Sequence, residues 1–328
     1  MECYFLCREH PGHLIELVRS KDYPVHVLPC EAENAVDCDG LAHSVWLGAT
    51  QEQDAGACRP DLQALQPDWL VVDHYALDIR WEKALRPYCR RLMVIDDLAD
   101  RHHLCDLLLD QNLGRQAADY AGLIPELCTV LTGPRYALLR PEFSALREFS
   151  LQRRVRPRIS RILVSMGGID PDNVTGQVLD ALKRCPLPTN VLVTIVMGAK
   201  APWLSKVQEQ AATLPWRNEV LIGINDMAHR MAISDLAIGA AGSTAWERCS
   251  LGLPALMMVL AENQSEVASQ LEKIKAALIM TLDDSFPEKL ASGIRLLLED
   301  SEYLRELSFN ASLVTDGDGV AKVINKLL

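Results

Sequence analysis

The chain has 328 residues, 49% of them hydrophobic and 23% charged, a composition able to build the cores of two ordinary domains. Its formal net charge of −11 argues against a general affinity for nucleic acid or anionic membrane, so any anionic ligand has to be held locally. Ten cysteines with no CxxC pair and no His/Cys cluster at zinc spacing point to reduced thiols in a cytoplasm and to no metal site. No run of about 18 apolar residues marks a membrane span, and charged residues occupy 1–10 where a signal peptide would carry its apolar core.

Along the chain, short β-branched and apolar runs alternate with segments of helical spacing, the signature of a parallel sheet covered by helices. The first half predicts strands at 3–7, 25–28, 69–72, 92–95, 106–109 and 129–131, with helices such as 13–19 and 80–88 in the gaps. Residues 139–160 are rich in arginine, are interrupted by proline and lose apolar periodicity after Phe149, which places a domain boundary near Gln152. The second half predicts strands at 161–165, 191–197, 220–222, 236–238, 255–260 and 278–281. The expectation is an α/β protein with one sheet in each of two domains, 1–152 and 153–328.

Ligands of open parallel sheets bind outside the carboxyl ends of the strands. The residues there are polar: Asp73, His74 and Tyr75; Asp96 and Asp97; Asp110, Gln111 and Asn112; Gly167, Gly168 and Asp170; Glu262, Asn263 and Gln264. Two of the turns are suited to phosphate. In "SMGGIDPDN", Gly167 and Gly168 let the backbone approach a ligand, and the next helix opens over 170–173. In "GAAGSTAWERCSLGLP", Gly239 and Gly242 flank a turn where Ser243 or Thr244 can cap a helix and direct N–H groups at an anion. Glu247, one turn further on, can accept hydrogen bonds from a ribose diol. Both turns are also ordinary strand-to-helix chemistry, and neither matches the GxGxxG or P-loop fingerprint, which disfavours a dehydrogenase or a P-loop kinase. His74 reads more readily as a packing residue than as a base, Trp81 and Trp246 as core. Asp96 and Asp97 fit a loop, a capping pair or partners for His102 and His103.

The segments "VDHYALD", "VIDDLADRHHLCDLLLDQNLG", "GPRYALLRPEF", "SMGGIDPDN", "GAAGSTAWERCSLGLP" and "LAENQ", in this order, resemble the UDP-2,4-diacetamido-2,4,6-trideoxy-β-L-altropyranose hydrolases of pseudaminic acid biosynthesis, a likeness that runs over nearly all of the chain. The resemblance implies a GT-B-like fold of two Rossmann-like domains with the substrate in the cleft between them. It implies that Gly167, Gly168 and Asn173 approach the diphosphate and sugar, that Gly242, Ser243 and Thr244 hold the phosphates, and that Glu247 takes the ribose. Ile224 and Met227 bracket the segment matching the one that receives uracil. Asn263 and Gln264 match the family's carboxamide pair near the sugar, Tyr75 matches its active-site tyrosine, and Asp73 is expected beside the substrate. Against the family pattern the chain starts at the second strand, so the first βα unit, with the loop histidine proposed as general base, is expected to be missing; that role is not transferred to His13.

The expected activity is a cofactor-free, metal-independent hydrolysis in which water attacks the anomeric carbon with inversion and UDP departs. The expected protein is a cytoplasmic monomer with no nucleic-acid or membrane partner, and its pathway product decorates glycoconjugates such as flagellin. Two rivals stand beside it: a GT-B UDP-sugar transferase using a hydroxyl acceptor, and a truncated UDP-sugar-binding protein without turnover.

Overall fold

The computed structural model describes residues 2–30, 40–41 and 43–328, with Asn263 described in its backbone only. The chain divides into two compact units, Met1–Asp110 with Arg115–Thr132 and Leu327 in the first, and Gln111–Gly114 with Gly133–Lys326 and Leu328 in the second. Every strand expected from the sequence is present, with ends shifted by up to three residues.

The first unit runs β1 (Phe5–Arg8), α1 (Ile15–Arg19), β2 (Val25–Leu28), α2 (Gln51–Leu65), β3 (Trp69–Val72), α3 (Ile79–Leu85), β4 (Arg91–Ile95), β5 (Leu107–Asp110) and β6 (Thr129–Thr132). Its strands form two parallel ladders, β1-β2 and β3-β4-β5-β6, where a single sheet was expected. The long connection after β2 delivers β3 beside β4 and not beside β1, so the hydrogen bonds that would join the ladders are not made among the described residues. Leu28, Leu70, Val72, Leu92 and Leu108 nevertheless share one apolar core. The entry to α2 is fixed by a capping box in which Thr50 Oγ1 accepts from the Gln53 amide and Gln53 Oε1 accepts from the Thr50 amide.

The second unit runs α4 (Pro141–Arg154), β7 (Arg161–Ser165), α5 (Val174–Leu182), β8 (Leu192–Met197), α6 (Leu204–Ala212), β9 (Arg217–Ile222), α7 (Met227–Ile233), β10 (Leu236–Ala240), α8 (Thr244–Ser250), β11 (Ala255–Met258), α9 (Ser265–Lys273), β12 (Leu278–Met280), α10 (Phe286–Glu299), α11 (Ser301–Val314) and α12 (Gly319–Leu327). Its six strands are all parallel in the order β12-β11-β10-β7-β8-β9. Side chains alternate between the faces, so Ile162 and Val164 of β7 enter one core while Leu163 enters the other, and both faces are covered by helices. The strand order reverses between β7 and β10, and there the turns after both strands open on the same edge of the sheet.

The domain boundary lies earlier than Gln152. Helix α4 belongs wholly to the second unit: Phe143 is fully buried in the core that contains Trp246, and Arg147 and Arg153 donate to carbonyls of 250, 312, 315 and 232. The arginine-rich character that reads as a linker in the sequence is the helix's means of gripping those carbonyls. Replacement Phe143→Ala should cost about 3–5 kcal/mol in chemical denaturation of this unit. A loss under about 1 kcal/mol would contradict the packing of α4.

Candidate functional site

In the second unit the turn after β7 is shaped by glycine. Gly167 has φ +97° with open space where a Cβ would sit, and a Cβ on Gly198, at the end of β8, would meet the Gly168 carbonyl oxygen at 1.9 Å. Asp170, buried at φ 47°, accepts hydrogen bonds from the amides of Val174 (2.8 Å) and Thr175 (2.9 Å) and so fixes where α5 begins. Asn173, also left-handed at φ 53°, is the N-cap of α5 and accepts from Gly176 at 3.2 Å, so its Oδ1 is engaged with the protein. The 170–173 segment therefore opens the helix as the sequence suggests.

The turn after β10 contains Gly242, Ser243 and Thr244. Ser243 occupies the cap position of α8, but its side chain makes no capping bond and is exposed, contrary to the expectation that a hydroxyl caps this helix; its αR backbone turns Oγ away from the N–H groups. Among the described residues the amides of 242–244 find no acceptor. Gln264 accepts the Leu260 amide at 3.0 Å and sets its Nε2 3.5 Å from where a Cβ of Gly242 would lie, so these two expected residues are neighbours. Asn263 lies in the 3-10 turn Glu262–Gln264; its side chain is outside the described residues.

Glu247 projects from α8 with no side-chain hydrogen bond to the described residues, leaving its oxygens available. Burial raises its carboxyl above the ordinary range, opposed by the charges of Arg140 and Arg248. Arg140 also donates to the Asn225 carbonyl at 3.3 Å, which ties Glu247's neighbour to the segment holding Ile224 and Met227, both partly buried against the core.

In the first unit Asp73, His74 and Tyr75 follow β3, and Asp96 and Asp97 follow β4. The Tyr75 hydroxyl donates to Asp97, and the Tyr75 ring lies 5.3 Å from His43 and 5.9 Å from Trp46. Burial, then the Asp97 charge, raises the Asp73 carboxyl. Burial raises Asp97 as well, against the downward pull of the Tyr75 hydrogen bond. His74 Nδ1 accepts the Ala76 amide at 3.1 Å, and burial lowers its pKa, so it is a neutral turn residue. Asp96 is structural: it pairs with buried Arg101 at 2.8 Å and accepts from Tyr120 at 3.1 Å, while His103 pairs with Glu82 at 2.6 Å and lies 4.0 Å from Asp96. Trp81 and Trp246 are buried, as expected.

Sequence reasoning missed Gly198, Arg140 and Arg248. Gly198 carries a signal, a glycine directly after a strand; Arg140 and Arg248 carry none that distinguishes them from surface arginines. Among the described residues no group of three or more His, Cys, Asp or Glu side chains is placed to hold a metal ion, and no helix is long and apolar enough to cross a membrane.

Parallel strands and helices in each of the two units define a GT-B-like α/β fold, and the chain is similar to known proteins of that fold. Over its full length the chain superposes on 99% of Acinetobacter baumannii MurG with a TM-score of 0.70 at 15% identity. Residues 162–323 match the glycosyltransferase family 28 C-terminal domain. A UDP-2,4-diacetamido-2,4,6-trideoxy-β-L-altropyranose hydrolase of Campylobacter jejuni is 29% identical over 62% of this chain and 70% of its own. The uncharacterized protein MJ1062 of Methanocaldococcus jannaschii is 25% identical over 63% of this chain, a match that spans 43% of that relative.

The raised carboxyl of Asp73 gives a pH signature. A carboxyl whose folded pKa lies above its unfolded value near 3.9 contributes stability that is fully present below that value and lost as pH rises through the folded one. Asp73→Asn should therefore stabilise the protein relative to wild type more at pH 7 than at pH 4 in thermal unfolding. An offset independent of pH would contradict the assignment.

Proposed function

We propose that the second unit binds UDP and that the protein hydrolyses a UDP-linked diacetamido trideoxy sugar. The observation that carries this reading is the meeting, at one strand-order reversal, of the Gly167–Gly168 turn, three amides at 242–244 with no acceptor among the described residues and a Glu247 carboxylate with no hydrogen-bond partner among them. Amides suit a diphosphate, and a carboxylate one helical turn away suits a ribose diol. Ile224 and Met227 flank the segment assigned to the uracil, with Gln264 beside the phosphate turn and Asn173 at the neighbouring helix start. The name of the Campylobacter relative supports the reaction.

In this mechanism water attacks the anomeric carbon and releases its proton to solvent, the C–O bond to the diphosphate breaks with inversion, and the N–H groups of 242–244 take up the charge developing on the leaving UDP. Tyr75 and Asn263 are assigned to orient water and sugar, and Asp73 to hold the substrate. Neither His13 nor His74 is assigned as base, because His13 is exposed and accepts the Ile15 amide at 3.3 Å and His74 is held in its turn. The match of 162–323 to a glycosyltransferase domain favours a second reading, transfer of the sugar to a hydroxyl acceptor.

An NMR time course with the UDP-linked diacetamido sugar separates them: loss of the anomeric signal with free sugar appearing in water alone supports hydrolysis, and UDP release only with an added acceptor supports transfer. In calorimetric titration Glu247→Ala should weaken UDP by about tenfold or more, the worth of a charge-assisted hydrogen bond, and leave pyrophosphate unaffected. Equal affinity of variant and wild type for UDP would remove Glu247 from the ribose site.

A further inference from the structure

Three arginines are buried deeply, and they are compensated very differently. Arg101 of the first unit is ion-paired with Asp96 at 2.8 Å. Arg154 of the second unit donates to four carbonyl oxygens, of Ser150, Met231, Ala232 and Ser234, at 2.9–3.4 Å. Arg248, among the largest fully buried side chains, donates to one carbonyl, that of Ala240, its Nε finds no acceptor, and it forms no ion pair among the described residues, the charge of its chain neighbour Glu247 acting on it without contact. A buried charge answered only by one carbonyl and the field of one carboxylate is costly to the folded state unless something outside the protein adds to them.

Its position indicates what answers it. A Cβ on Gly239 would lie 2.5 Å from Arg248 Nη1 and 2.6 Å from the Ser165 carbonyl oxygen, so the guanidinium sits beside Gly239 of β10 and Ser165 of β7, which face each other in the sheet register. One residue past Ser165 begins the turn with Gly167 and Gly168; one residue past Ala240 begins the turn with Gly242. The absence of a side chain at 239 makes room for the charge under both turns. We propose that Arg248 is the buried countercharge of an anion site at the carboxyl ends of β7 and β10, and that the group it serves is the diphosphate of a nucleoside diphosphate. It rests on the UDP reading above for the identity of the ligand, though not for the existence of the site.

Arg248 is a positioning residue: it reaches the ligand through its field and through the carbonyl it holds, in surroundings where water screens little. Burial lowers its pKa to about 10, so it remains charged at neutral pH. An arginine kept for the fold alone would make the protein more stable when empty. An arginine kept for an anion makes the empty protein less stable than a neutral isostere would, and recovers that loss on binding.

The test compares wild type, Arg248→Met and Arg248→Lys by calorimetric titration with UDP, uridine and pyrophosphate, and by thermal unfolding with and without each ligand. The expected result is that R248M loses at least tenfold in affinity for UDP and pyrophosphate and none for uridine, while its ligand-free melting temperature equals or exceeds that of wild type; R248K stays within about threefold of wild type. Pyrophosphate binding that depends on Arg248 in a protein that ignores UDP would refute the UDP reading and leave this inference standing. The inference is overturned if R248M fails to fold or melts lower when empty, if uridine and UDP weaken equally, or if wild type binds neither UDP nor pyrophosphate.

Discussion

The second unit turns on the absence of one side chain, at Gly239. Strand β10 lies directly beside β7, and the space over Gly239 is shared by the Ser165 carbonyl and the Arg248 guanidinium. Any larger residue there would push α8 from the sheet or expel the arginine. Because strand order reverses at this pair, the two turns that follow are not covered by a crossover and open together. Backbone amides, a glycine turn and a buried positive charge are thereby brought to one edge.

Around that edge each residue is fixed by an interaction that leaves another group unused. Asp170 consumes its carboxylate on the start of α5, which holds the 167–168 turn from the far side. Gln264 spends its oxygen on the Leu260 amide and keeps its nitrogen beside Gly242. Arg140 holds the Asn225 carbonyl and acts on Glu247, whose oxygens accept no hydrogen bond from the described residues. Among the described residues most polar groups at this edge are engaged within the protein, and those left over are the ones assigned to the proposed nucleotide site. In the first unit Asp96, Asp110, Tyr120 and Arg101 interact in the interior, while at the strand ends the Tyr75 hydroxyl donates to Asp97 and Asp73 lies within reach of the Asp97 charge.

The strands were legible because each is a short apolar run ended by polar or glycine residues, which a parallel sheet covered on both faces requires. The boundary was not, because α4 carries its arginines toward carbonyl groups and so reads as a polar linker. The split of the first unit into two ladders was hidden as well, since pairing between strands leaves no mark in either strand alone. At the site, Gly167, Gly168, Gly242 and Glu247 were visible as residue types after strands, whereas the idea of Ser243 as a side-chain cap failed on its backbone conformation. Arg248 was invisible, because sequence does not tell a buried arginine from a solvated one.

The most direct test of a UDP site on the second unit is backbone amide NMR of the isotope-labelled protein titrated with UDP. The expectation is that the largest shift changes fall at the amides of Gly167, Gly168, Gly242, Ser243 and Thr244, with smaller ones at 224–227. Shifts confined to other residues, or none at millimolar UDP, would contradict it.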